Sequence, residues 1–243
     1  MTTKIANKTI LITGANRGIG QALVNEALER GAKTVYAGTR AAWQHPDKRV
    51  APVTLEVTDA AEIERAAARI EILDVLINNA GIAIYDDLSK PEVIEQHFAV
   101  NFFGPYHVIR AFLPQLRRSR GAIVNDLSLV SLAPLPMLSA YSISKAAAFS
   151  MTQAFRALLA GQGVTVHGVL LGPVDTDMNR GLEIPKASPE SAAQGIFDGL
   201  EQGEEEIFPD PVSKGLAEGW RNGAAKALER QFATFVQPPA GKQ

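Results

Sequence analysis

The chain alternates short β-forming runs with longer helical ones, and this alternation restricts its fold more than any other feature. TILIT (9–13), TVYAGT (34–39), PVTLEV (52–57), DVLIN (74–78), GAIVNDLS (121–128) and GVTVHGVLL (163–171) are short and largely apolar. A seventh, EEIFP (205–209), lies near the C-terminal end. Between them run helical patterns. IGQALVNEALERG closes on Gly31 as a C′ glycine. DAAEIERAAARI opens on Asp59 with Glu62 three residues on, close to a capping box. PEVIEQHFAVNFFGPYHVIRAFLPQLRR reads as two helices or one bent helix, interrupted at Pro105 and Pro114. Helical stretches also surround Tyr141 and fill ESAAQGIFDGLEQG. Strict strand–helix alternation predicts an α/β protein: a doubly wound parallel sheet between two helical layers. No linker, repeat or low-complexity break divides it, so residues 1–243 read as one domain. Open sheets of this kind bind ligands beyond the strands' C-terminal ends. That places the irregular segment at about 176–189 beside any site, with the C-terminal segment at about 209–243 as a second candidate wall.

Composition removes several function classes. With 46% hydrophobic residues the chain can bury a sizeable core, roughly 70–75% of its unfolded surface. A net charge of −2, from 24 basic and 26 acidic residues, gives no field to recruit nucleic acid or an anionic membrane. The basic run RRSR (117–120) reads as a solvated helix end. The absence of cysteine excludes disulfides, thiolate catalysis and Cys-ligated metals, and fits a reducing compartment. No apolar run approaches the ~18 residues of a membrane span, and MTTKIANKTILITG lacks a signal peptide's pattern, so a cytoplasmic location is expected. His45, His97, His107 and His167 show no ligand spacing, and no metal is expected. Asp86 and Asp87 read as loop residues, EEE (204–206) as solvated, and Trp43 and Trp220 as packing residues.

TGANRGIG (13–20) lies directly after the first strand and opens the first helix. Glycines there allow a tight turn and a close backbone approach to a pyrophosphate at the helix N-terminus. In that context Gly14, Asn16, Arg17, Gly18, Ile19 and Gly20 form a candidate dinucleotide-binding turn, although an ordinary βα turn would also use glycines. The end of the second strand selects between nicotinamide cofactors: an acid bonds the ribose 2′-OH, whereas a base accommodates a 2′-phosphate. Here YAGTR carries Arg40 and no acid, and Arg17 can serve the same phosphate. Guanidinium groups bind phosphate by charge-assisted, bidentate bonds. NADP(H) is expected in preference to NAD(H).

In SAYSISKAAAF (139–149), Tyr141 and Lys145 sit one helical turn apart on one face. LINNAG (76–81) follows the fourth strand, Asn101 lies in VNFFG, and Ser128 ends the fifth strand thirteen residues before Tyr141. With TGANRGIG, this ordered set resembles the short-chain dehydrogenase/reductase family in its compact, "classical" form, over roughly residues 5–210. The resemblance implies a Rossmann-type sheet of about seven strands and a catalytic tetrad of Asn101, Ser128, Tyr141 and Lys145. It also implies a cofactor wall at Asn79, Ala80 and Gly81, with Val174 and Thr176 meeting the carboxamide. The chemistry agrees. A carbonyl undergoing reduction needs a proton and a donor for its oxygen; Tyr141 supplies the first, Ser128 the second. Lys145 is expected to favour the phenolate by its charge, and Asn101, by resemblance, to support a water chain that returns the proton through Lys145 to solvent.

Three residues depart from the family pattern. Leu171 replaces a proline before Gly172. Glu56, followed by Val57, stands where an aspartate usually meets adenine. Asp126 replaces an apolar or small residue two positions before Ser128; it could raise the tyrosine's pKa, bind an amine on the substrate, or face polar groups at the strand end. The expected function is NADPH-dependent, reversible reduction of aldehydes and ketones to alcohols. SLVSLAPLPML (128–138) favours small hydrophobic carbonyl compounds and alcohols as substrates. The alternative is a non-catalytic NADP-sensing regulatory protein on the same fold. A homotetramer or homodimer is expected, through the long helix and the tyrosine-bearing helix.

Overall fold

Strand β1 (Thr9–Thr13) is buried along its whole length and pairs in parallel with β2 (Thr34–Thr39) on one side and β4 (Val75–Asn78) on the other. In the computed structural model, which describes residues 3–236, these strands join β3 (Val50–Thr54), β5 (Ala122–Asp126), β6 (Thr165–Val169) and β7 (Glu206–Ile207). The seven-stranded parallel sheet has the order β3-β2-β1-β4-β5-β6-β7. The strand order reverses between β1 and β4, and the crevice at that switch point opens at the C-terminal ends of both. The architecture is the expected Rossmann-type doubly wound sheet.

Adjacent strand residues face opposite layers, as a period of two requires. Ile10, Ile12, Ile77 and Val124 pack with α1 (Gly18–Glu29) and α6 (Pro189–Gln202). Leu11, Leu76 and Ile123 pack with α2 (Ala60–Arg69), α4 (Gly104–Ser119) and the far end of α5 (Ser139–Ala160). A smaller core joins Phe149 of α5 to Phe208 and to Ala217 of α7 (Pro211–Arg221). Helix α8 (Ala224–Ala233) ends the described C-terminal segment; residues 237–243 of the expected 209–243 wall lie outside the described residues. Among the described residues no helix is long and apolar enough to cross a membrane.

Several local expectations change. β3 covers Val50–Thr54 rather than 52–57, because Glu56 N–H leaves the ladder to bond Glu62 Oε2 at 2.7 Å. That use of Glu62 also leaves only half a capping box, in which Glu62 N–H donates to Asp59 Oδ1. Pro114 sits inside α4 without ending it; the break between α3 (Pro91–Phe98) and α4 is a π-helical turn, Ala99–Phe103. The run EEE is not wholly solvated. Glu206 is 3% exposed because Lys226 and Arg156 neutralise its carboxylate. Trp220 packs on Phe149 and donates to Glu206 Oε2 at 3.0 Å, so it braces the C-terminal helices.

Candidate active site

The glycine turn is built for close backbone approach. Gly14 and Gly18 have φ of +66° and +52°, a region that disfavours side chains. A Cβ at Gly20 would lie 2.1 Å from the Gly14 carbonyl oxygen. Asn79 holds this turn against β4: its Nδ2 donates to the carbonyls of Thr13 (2.8 Å) and Gly14 (3.1 Å). The backbone N–H groups of Asn79 and Ala80 both donate to Thr13 Oγ1 at 3.0 Å. Helix α1 begins without a side-chain cap and without an acidic residue in its first turn. Its N–H groups and positive end are thus left to an external anion, which fits a dinucleotide pyrophosphate.

Three anchors fix α5 and hence Tyr141 and Lys145. Thr152 Oγ1 accepts from Asn125 Nδ2 at 2.9 Å, and Asn125 Oδ1 accepts from Asn78, tying α5 to β4 and β5. Ser144 Oγ accepts from Asn101 Nδ2 at 3.0 Å. Asn101, buried in the π-helical turn, also exchanges two bonds with the Ile82 backbone, so its amide holds the 81–82 segment against α5. The third anchor is Asp86, whose carboxylate accepts from Ala140 N–H at 3.0 and 3.1 Å. It caps the helix start one residue before the tyrosine. Lys145 Nζ donates to the Asp126 carbonyl at 2.7 Å and lies 5.7 Å from the centroid of the Tyr141 ring. Ser128 Oγ stands beside the Tyr141 phenol, accepts from Val130 N–H and donates weakly to the Leu171 carbonyl.

One cavity of about 890 Å³ joins these groups. Gly14, Asn16, Arg17, Gly18, Ile19, Gly20, Arg40, Glu56, Val57, Asn79, Ala80, Gly81, Val174 and Thr176 all line it, as do Ser128, Tyr141 and Lys145. Asn101 stands behind this wall: a Cβ added at Gly81 would meet its Oδ1 at 3.3 Å and Lys145 Nζ at 3.7 Å. Segment 176–189 borders the cavity through Met178, Leu182 and Ile184, and its Ala187 bridges back to Val174.

A model of the short chain dehydrogenase family matches residues 8–186. The chain belongs to the short-chain dehydrogenase family. It is 36% identical over 206 residues to 2,3-dihydro-2,3-dihydroxybenzoate dehydrogenase of Escherichia coli (strain K12), covering 82% of each chain. It is 31% identical over 248 residues to the uncharacterized oxidoreductase DltE of Bacillus subtilis (strain 168), covering 94% of this chain and 96% of the other. A crystal structure of a short chain dehydrogenase from Burkholderia cenocepacia J2315 in complex with NADP is 35% identical, with a TM-score of 0.86. That alignment covers 97% of this chain and all of the other.

The electrostatics of this dehydrogenase differ from expectation at the tyrosine. Burial raises the Tyr141 phenol well above its ordinary value, the charge of Asp126 raises it further, and Ser128 opposes both. Burial also lowers the pKa of the Lys145 ammonium group, against the attraction of Asp126. Asp126 is pushed up to about 7 by burial, with Lys145 pulling the other way. Asp126 lines the cavity, and its buried Oδ1 bonds no polar group at the strand end.

Two contributors were not visible in the sequence. Asp86 passes for an ordinary loop acid, and no local pattern links it to Ala140, 54 positions on. His97 is fully buried; its Nε2 accepts from Ile84 N–H at 3.1 Å and its Nδ1 faces the Val93 carbonyl, fixing the proton on Nδ1. It thereby holds the loop that carries Asp86. Among the described residues no group of three His, Asp or Glu side chains is placed to hold a metal ion.

Proposed function

We propose that this dehydrogenase reduces small hydrophobic aldehydes and ketones with NADPH, reversibly. The observation that carries the reading is the convergence of Ser128, Tyr141 and Lys145 in one cavity with the glycine turn. Gly14, Gly18 and the α1 N-terminus would hold the pyrophosphate, and Asn79, Ala80 and Gly81 the adenosine half. Arg17 and Arg40 would hold a 2′-phosphate. The NADP complex of the Burkholderia relative supports this choice. Since the Val174 carbonyl is taken by Asn179 Nδ2 at 2.8 Å, its N–H is the backbone group left for a carboxamide. When bound, the reduced nicotinamide supplies the hydride.

The chain's own groups do the rest. Ser128 Oγ donates a hydrogen bond to the carbonyl oxygen, where negative charge develops, and Tyr141 transfers its proton to that oxygen. A phenol kept protonated is suited to donate. Lys145 supplies the nearby positive charge that stabilises the tyrosinate left behind, and Asn101 holds the wall segment against α5. Leu129, Val130, Leu135, Leu138 and Ile184 make the surrounding surface apolar, which favours hydrophobic substrates. Exposed Phe103 at the end of the π-helical turn, Tyr106 on α4 and Leu158 on α5 support assembly as a homodimer or homotetramer through those helices.

The test is NADPH oxidation, followed by its absorbance, with a panel of aldehydes and ketones. Turnover is expected with apolar members, and Tyr141→Phe is expected to lower kcat about 10²–10⁴-fold with cofactor affinity retained. Tight NADPH binding without turnover on any carbonyl would favour the cofactor-sensing alternative.

A further inference from the structure

Asp126 is the last residue of β5 and lines the same cavity as Ser128, Tyr141 and Lys145. Its backbone carbonyl is used by Lys145, but its carboxylate is not: Oδ1 is enclosed and has no hydrogen-bond partner among the described residues. A buried acceptor without a donor costs stability, so folding does not account for a carboxylate here. The other β5 side chains are uncharged, and Val169 of β6 and Asn78 of β4 flank the strand end without charge. Among the described residues, the ionisable groups bearing on this carboxylate are Lys145 and Tyr141, both from α5. His97, edge-on to the Tyr141 ring, has both ring nitrogens committed to the backbone.

Building on the reductase reading above, we propose that Asp126 is a positioning residue for charge: its carboxylate offsets Lys145 and keeps the proton on Tyr141, biasing the site toward reduction. A cation near a phenol favours the phenolate, and an anion in the same cavity opposes it. The low dielectric around these buried groups makes both effects larger than they would be in water. The directions agree, since the Asp126 charge raises both the phenol and the Lys145 ammonium. With Asp126 itself near 7, the carboxyl is neutral in acid and charged above neutrality. Its influence is therefore present in the alkaline range, where an unopposed Lys145 would strip the phenol of its proton. Carbonyl reduction then persists to higher pH, and alcohol oxidation, which needs the phenolate as base, is displaced to higher pH as well.

The test compares wild type with the isosteric Asp126→Asn and with Asp126→Leu, in both reaction directions across pH. In both variants the alkaline fall of reduction and the rise of oxidation are expected at lower pH by about one unit or more, a tenfold rate change per unit on the limb. A second readout needs no turnover: ultraviolet titration of phenolate, taken as the difference from the matching Tyr141→Phe protein. The Tyr141 signal is expected to emerge at lower pH in Asp126→Asn than in wild type. If wild type turns over no carbonyl compound, the reductase reading fails, whereas this titration still decides the role of Asp126. Superimposable titrations and pH profiles would overturn the proposal. So would an unchanged profile with KM raised only for amine-bearing carbonyl compounds, which would make Asp126 a substrate contact.

Discussion

Arg40 directly follows β2 with its side chain 74% exposed, and its Nε is 3.7 Å from Glu56 Oε2. Arg17, in the glycine turn, is 3.8 Å from Asp177 and similarly exposed. Exposed pairs of this length contribute about 0–1 kcal/mol, so a phosphate dianion can displace either carboxylate at little cost. Arg40→Asp should therefore lower NADPH affinity relative to NADH by about 10- to 100-fold, the range for losing a charge-assisted bond. Equilibrium titration with both cofactors checks this, and an unchanged ratio would remove Arg40 from the specificity site. Arg40 was legible because its position follows directly from the end of a strand. Tyr141, Lys145, Ser128 and the glycines were legible for the same reason, as local spacing at an element's start or end. The raised phenol was legible only as one of three readings of Asp126, because it depends on burial and on a charge carried by another element. Glu56 shows both sides: it lines the cavity as expected, yet its longer side chain turns back to Arg40 and Thr58.

Helix α5 carries Tyr141 and Lys145, the proposed proton-transfer pair, but begins with no cap of its own: Leu138 occupies the N-cap position and the first turn has no acid. Asp86 supplies that cap from the loop after β4, where its N–H also donates to the Met137 carbonyl at 3.2 Å. The contact satisfies a free N–H and places negative charge at the positive end of the helix. Asp86→Ala should cost about 1 kcal/mol of stability, as other lost caps do. Because Ala140 adjoins Tyr141, kcat should fall more than KM rises. Asp86→Asn keeps the acceptor and should recover most of kcat, which pure loss of loop packing would not allow. Steady-state kinetics with a denaturant midpoint for each variant separate the two. Elements with a strong period, such as β1, α1 and α2, matched their sequence limits closely. The π-helical turn at 99–103 did not announce itself, since AVNFF would suit an ordinary helix; the extra residue follows from Asn101 reaching both Ile82 and Ser144.

Across the whole molecule, alternation alone specified the sheet and its two helical layers, but it was silent about what closes the far edge. β7 is only two residues long; α7 is held beside it by apolar contact and α8 by charge. Lys226, 1% exposed, pairs with Glu205 (2.7 Å), Glu206 (2.8 Å) and Glu229 (2.9 Å). Arg156 of α5 joins the same cluster through Glu206 and Glu229 and donates to the Glu205 carbonyl. The helix bearing Tyr141 and Lys145 is thereby tied to the C-terminal helices. Breaking a buried pair from one side leaves an uncompensated charge, which costs about 3–5 kcal/mol. Arg156 still serves Glu206 when Lys226 is lost, so Lys226→Met should fall at the lower end, about 3 kcal/mol, or ~6–12 °C in Tm. Adding Glu206→Gln removes one of the carboxylates left in excess over Arg156 while keeping an acceptor for Trp220, so the double variant should regain part of that loss. Thermal melts and limited proteolysis of the three proteins measure this, with cleavage in α7 and α8 expected to be fastest in Lys226→Met. Equal melting of Lys226→Met and wild type would mean that apolar packing of Phe149, Phe208, Ala217 and Trp220 holds the edge without the charges.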